Sequence, residues 1–300
     1  MGTDACFNKD RLHAIFGIIY LLTSLIASIG NGFVLYIVKR DPLKAFNKPT
    51  NVLNISITIN HFLSGLIVLP FIGISDILKS QGILHEVAKL FEDVLVYFAA
   101  SNASMLLLLL FFERYTAVVF PLLNRKHITI KRAKRICTSV TIICFLFSCI
   151  LFTGVSHNAF YFVCLPLFIL LPCLVMIILL VAGFCGLKRQ AQVAVNNRSE
   201  LPINQNKRTR RNSQLFEYLV YATKGTVSTV LTLVFYCVVK FLGFSEMEFS
   251  RTSCYDLLEH LSLVVLFVTA AANPIIIFRK IPVYSRSARH IWERRKKGVV

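Results

Sequence analysis

The sequence predicts an all-α membrane protein: a seven-transmembrane helix bundle followed by an amphipathic helix on the inner surface. Three observations predict it. Of 300 residues, 56% are hydrophobic and 16% charged, whereas a soluble domain is about 25% charged. The charges fall between apolar runs, several of which reach the roughly 20 residues a helix needs to cross a hydrocarbon core. Basic residues gather in alternate connectors, the bias that sets orientation in a bilayer. The formal net charge of +18 is thus placed for a membrane, and no nucleic acid is expected as a partner.

The whole chain, 1–300, reads as one domain with spans at about 12–38, 50–75, 87–119, 134–155, 159–187, 215–242 and 256–279. Met1 to Arg11 lacks the basic n-region and cleavage site of a signal peptide, so the first span is expected to act as its own insertion signal. Ala14 to Val38 is uncharged and closes on Lys39-Arg40. Pro49 to Ser75 is the second uncharged stretch, and Asp76 to Asp93 reads as an outer loop and helix start. No charge lies between Asp93 and Glu113, which gives the third span.

Ile136 to Leu187 carries no Lys, Arg, Asp or Glu and is too long for one crossing, so it must turn at Ser156-His157-Asn158. Lys188 to Gln214 is a basic polar connector. The sixth span is interrupted by Lys224 and Lys240, which must snorkel or face the bundle. His260 to Phe278 is the seventh. In 282–297, Tyr284, Ala288, Ile291 and Trp292 are able to share one face of a surface helix. The connectors after spans one, three and five and the tail are each net basic, and the opposite side taken together is net acidic. The N-terminus is therefore expected outside and the C-terminus in the cytoplasm, in the plasma membrane.

The third span ends in Glu113-Arg114-Tyr115, followed by Ala117 and Pro121-Leu122. An Arg paired with its neighbouring Glu at the membrane edge is held; released, its planar fork can meet a docking protein. The plainer reading is a stop-transfer charge pair. Gly30-Asn31, Leu66 to Phe71 (LIVLPF), Pro172 and Asn273-Pro274 are spread over the other spans.

Together these marks resemble the rhodopsin-like (class A) G-protein-coupled receptors, over about Leu12 to Trp292. The resemblance implies a receptor that passes an extracellular ligand signal to a heterotrimeric G protein, with Glu113, Arg114 and Tyr115 coupling and Asn31, Pro172, Asn273 and Pro274 as structural marks. It implies no enzyme, no cofactor and no metal. The lipid bilayer is the remaining partner.

The departures are as informative. His61 stands where the family usually has its sodium-binding Asp. A neutral imidazole does not bind the ion and a protonated one repels it, so no sodium sensitivity is expected; the alternative is an ordinary packing residue. By the family's geometry His61 would face Asn31 and Asn273. Cys237-Val238-Val239-Lys240 replaces CWxP, the NPxxY Tyr is missing, and Leu180 and Thr141 replace a usual Tyr and Trp.

Val96 holds the place of the aminergic Asp and Phe267 that of the retinal lysine, so neither ligand type is expected. Glu92, Asp93, Glu259 and His260 could bind a peptide or another cationic small ligand, since acids at a membrane mouth focus positive charge; alternatively they are solvated helix starts.

The family's usual disulfide is lacking, because Lys89 holds its third-span place. A similar loss in melanocortin-type receptors comes with another outer bridge, and the resemblance suggests Cys6–Cys254; two free thiols remain the alternative. Asn54, Asn102 and Asn197 head sequons that lie in spans or inside, so no glycan is expected. A transporter or a non-signalling decoy is the other functional class, although no paired intramembrane carboxylates or inverted repeat favours a transporter.

Overall fold

The computed structural model describes residues 8–83, 86–196, 227, 230–243 and 253–296. Cys6, Lys224, the connector past Asn196 and most of the inner half of the sixth span lie outside the described residues. The helices are α1 (Lys9–Arg40), α2 (Pro49–Leu63), α3 (Leu69–Ser80), α4 (Glu86–Val119), α5 (Pro121–His127), α6 (Ile130–Cys149), α7 (His157–Leu165), α8 (Leu171–Asn196), α9 (Val230–Gly243), α10 (Ser253–Lys280) and α11 (Pro282–Lys296). Six helical rods are long and apolar enough to cross a membrane, and α9 is the described part of the remaining span. The chain is a seven-span helical bundle.

Two of the rods are composite. The π turn Ser64–Val68 joins α2 to α3, and the π turn Pro166–Leu170 joins α7 to α8. Each ends just before a Leu-Pro pair, Leu69-Pro70 or Leu171-Pro172. Proline lacks an N–H and its ring presses on the preceding turn. Widening that turn by one residue accommodates both without breaking the rod.

Local chemistry sets the ends. Asn8 accepts from the Arg11 amide at 3.1 Å, Thr129 from Arg132 at 3.3 Å and Ser156 from Ala159 at 3.2 Å, each supplying an N-cap. Asp41 closes α1 in the left-handed region at φ 33°, with its carboxylate accepting from the Ala45 amide at 2.8 Å. The sequence expectation had no element at α5; Pro121 opens it at the helix position where a missing N–H is harmless.

Several expected boundaries change. The second span does not stop at Ser75: α3 runs to Ser80 and carries Asp76 inward, fully buried. Asp76 is therefore not outer-loop material; salt-bridge partners on α1, α3 and α10 compensate its burial. On α11, Tyr284 is buried, and Ala288 and Ile291 pack with it against Val34, Ile37, Phe46 and Ile277. Trp292 departs from that shared face and is exposed, as suits an indole at a membrane interface.

The bundle is apolar outside and partly polar inside. Ile15, Leu22, Ile26 and Ile29 of α1 are exposed, whereas Ser24, Asn31, Asn60, Ser101 and Asn102 are buried. Lipid tails offer no hydrophobic drive for helix association, so close backbone approach and internal hydrogen bonds carry the packing. Ser24 donates to the Gly65 carbonyl at 2.7 Å. A Cβ at Gly65 would lie 2.7 Å from the Ser28 nitrogen and 2.9 Å from the Ala27 methyl. Asn31 donates to the Ala270 carbonyl at 3.0 Å and accepts from Asn273 at 2.9 Å, tying α1 to α10 where Pro274 interrupts that helix.

Gly65→Val should overpack this seam and cost about 1–3 kcal/mol. Gly82, at φ +73° with nothing within 4 Å, should accept Asn with little loss. Thermal unfolding in detergent micelles measures both, and equal midpoints for the two variants would contradict the seam.

Candidate functional site

The candidate side chains collect at two ends of the bundle. At the end away from the N-terminus, Glu113 lies on the last turns of α4, buried against α2. Its Oε1 accepts from the Thr50 hydroxyl at 2.7 Å, and its Oε2 faces Arg114 Nε at 3.5 Å. Asn124 of α5 donates to the Glu113 carbonyl at 3.2 Å. Tyr115 meets Phe120 edge-on at 6.2 Å, which braces the turn into α5. The carboxylate thus has two calls on it, a neutral hydroxyl and a cation. A partner that takes the guanidinium leaves Glu113 still bonded to Thr50.

At the end that holds the N-terminus, the structure brings Glu92, Asp93 and Glu259 together with three lysines. Lys79 Nζ lies 2.9 Å from Asp76 Oδ1 and 2.8 Å from Glu92 Oε2. Lys89 Nζ lies 3.7, 3.6 and 3.6 Å from Glu92, Asp93 and Glu259. Lys240 bonds Glu259 and sits 5.5 and 5.8 Å from the ring centres of Tyr161 and Tyr236. Glu92 and Asp93 are buried and paired, so they do not stand as solvated helix starts.

The sequence expectation named the acids and missed most of their partners. The i,i+3 and i,i+4 spacings of Asp76–Lys79 and Lys89–Asp93 were available signals. Of the two residues expected to snorkel or turn inward, Lys240 turns inward.

Val96 is buried in the main core, below this layer. His260 is buried as well, stacked 4.8 Å from Phe16. Among described thiols, seven are free and Cys254 at the start of α10 is disulfide-bonded.

Between the ends, His61 lines a cavity of about 20 Å³ with Ser64, Ala100, Leu233, Phe267 and Ala270, room for roughly one water. It takes no part in the Asn31–Asn273 bond, and neither asparagine lines this cavity. Asn60 accepts from Asn102 at 2.7 Å, and Thr141 donates to Asn102 at 3.1 Å. Thr141, expected only as the absence of a Trp, is the α6 end of a chain that joins spans two, three and four. Pro172 follows the second π turn, and Pro274 packs against Gly30.

Residues 30–277 match the family described as "7 transmembrane receptor (rhodopsin family)". The fold is similar to that of squid rhodopsin, with a TM-score of 0.81 and 16% identity over 95% of this chain and 86% of that one. No curated protein matches this chain closely enough to count. An apolar exterior, a polar seam and a Glu–Arg pair at the end of the third span thus sit in a chain most of whose length matches one family, and this chain belongs to the rhodopsin family of seven-transmembrane receptors, the class A G-protein-coupled receptors, which are signalling proteins and not enzymes.

Proposed function

We propose that this chain passes an extracellular ligand signal to a heterotrimeric G protein across the plasma membrane, with its N-terminus outside and its C-terminus in the cytoplasm. One observation carries the reading: Arg114 is held by Glu113 at 3.5 Å while Glu113 is also bonded by Thr50. That is a pair with a ready second arrangement, at the end where the connectors are basic. Released from Glu113, the guanidinium offers several donors to the backbone carbonyls of a docking segment. The ligand acts at the outer end, where a cationic group of a peptide or small molecule competes with Lys89 or Lys240 for Glu92, Asp93 and Glu259. His61 gives the interior cavity no carboxylate for a sodium ion.

Nucleotide exchange on a panel of Gα subunits, with the chain in nanodiscs, tests this. Arg114→Ala should abolish exchange while surface expression is kept. Glu113→Gln should raise basal exchange about fivefold or more, because a few kcal/mol of coupling separates the two states. Unchanged exchange in both variants contradicts the reading.

The outer bridge is proposed as Cys6–Cys254. It would tie the N-terminal segment to the start of α10 and limit the mouth above the charged layer. Peptide mapping without reduction should recover the two cysteines in one linked fragment. Recovery of both as alkylated thiols would end this proposal.

A further inference from the structure

Beside the lysine–carboxylate layer, at the end of the bundle that holds the N-terminus, lies a second cluster built by α1, α3 and α10. His13, Asp76 and His260 each offer one ligand atom, and these atoms lie within 4.8 Å of one another. Asp76 is fully buried, and its Oδ2 makes no hydrogen bond, with His260 Nδ1 3.5 Å away. A buried carboxylate oxygen left without a donor is costly unless a cation or a proton meets it.

The surrounding bonds aim the imidazoles. The Tyr20 hydroxyl donates to the His260 carbonyl oxygen at 3.2 Å and lies 3.1 Å from His260 Nδ1. When that proton stays on the carbonyl, the Tyr20 oxygen accepts from Nδ1–H and His260 Nε2 presents its lone pair toward His13 Nδ1, 3.2 Å away. A histidine that donates one ring N–H to a neighbour and presents the other nitrogen is the usual arrangement of a metal ligand. His13 Nδ1 in turn lies 3.4 Å from Asp76 Oδ1.

We propose that His13, Asp76 and His260 bind a divalent transition ion of the zinc class, and that the ion clamps the outer ends of the first, second and seventh spans. Zinc takes nitrogen and carboxylate ligands at about 2.0–2.2 Å, so tetrahedral donors stand about 3.3 Å apart. The separations of 3.2 and 3.4 Å around His13 Nδ1 match that edge. Turning the Asp76 carboxylate closes the third side.

Two imidazoles and one carboxylate select zinc, copper, nickel or cobalt over magnesium and calcium, which want oxygen ligands. The side chain of His13 is 19% exposed, which gives the ion a route from the outer mouth and leaves a fourth position for water. Lys79 is the opposing cation, 2.9 Å from Asp76 Oδ1. It is shared with Glu92 at 2.8 Å, so it can move wholly onto Glu92 when the ion arrives. The site is independent of G-protein coupling and stands or falls apart from it.

The test is zinc binding to the full chain in nanodiscs, without an affinity tag and with accessible thiols alkylated. It is read by the visible spectrum of Co²⁺, by its displacement with Zn²⁺, and by the rise of the unfolding midpoint with added Zn²⁺. One ion per chain is expected, with a tetrahedral cobalt spectrum and no competition from Mg²⁺ or Ca²⁺. His13→Gln and His260→Gln should each weaken binding roughly tenfold or more. Lys79→Met, which removes the competing cation, should tighten it, and His157→Gln should leave it unchanged. Equal zinc affinity in wild type and His13→Gln, or weaker binding in Lys79→Met, would overturn the proposal. So would no binding to the wild type at about 1 mM, where Zn²⁺ still meets ordinary protein ligands.

Discussion

A polar group inside a bundle immersed in lipid has no water to turn to, and the arrangement of this chain depends on that constraint. Each buried donor must find an acceptor on another helix or on its own backbone. Asn31 finds the Ala270 carbonyl and Asn273. Asn60, Asn102 and Thr141 find one another. Lys79, Lys89 and Lys240 find Asp76, Glu92, Asp93 and Glu259. The asparagine bonds and the pairs Lys79–Glu92, Lys89–Glu259 and Lys240–Glu259 cross from helix to helix, so they fix which rods are neighbours and at what height. Glycines at the α1–α3 seam let the backbones come close enough for the bonds to form.

The two ends use charge differently. The outer layer is a network, in which Lys79, Lys89 and Glu259 each serve more than one partner. Removing one contact leaves others, so the layer holds its shape. At the opposite end Glu113 pairs with Arg114 and is backed by Thr50. A carboxylate with a neutral alternate partner can change state without disturbing the helices around it. Stability at the mouth and bistability at the base are what a transmitting bundle requires.

The spans were legible in the sequence because they rest on local runs: apolar length, and marks such as Gly30-Asn31 and Asn273-Pro274. The contact of Glu113 with Arg114 was legible for the same reason, since the two are adjacent in sequence. Asp76 was not legible: its place one residue past an apolar run reads as a loop, and besides Lys79 its burial rests on His13 and His260, far away in sequence. Lys240 was half legible, as a charge that had to go somewhere; Glu259 as its destination is a tertiary fact. Trp292 shows the opposite error. Helical spacing put it near the packed face, but Tyr284 and Ile291 fill the contact with Val34 and Ile37 and leave the indole outside.

The central claim is that the lysines of the outer half face the bundle and not the lipid headgroups. The most direct test is a solid-state NMR distance between Lys240 ¹⁵Nζ and Glu259 ¹³Cδ in bilayers, with Lys240→Arg used to assign the nitrogen signal. Direct pairing as in the structure predicts strong dipolar coupling, a separation of about 4 Å or less. No coupling, with the Lys240 amine instead close to lipid phosphate, would contradict the account.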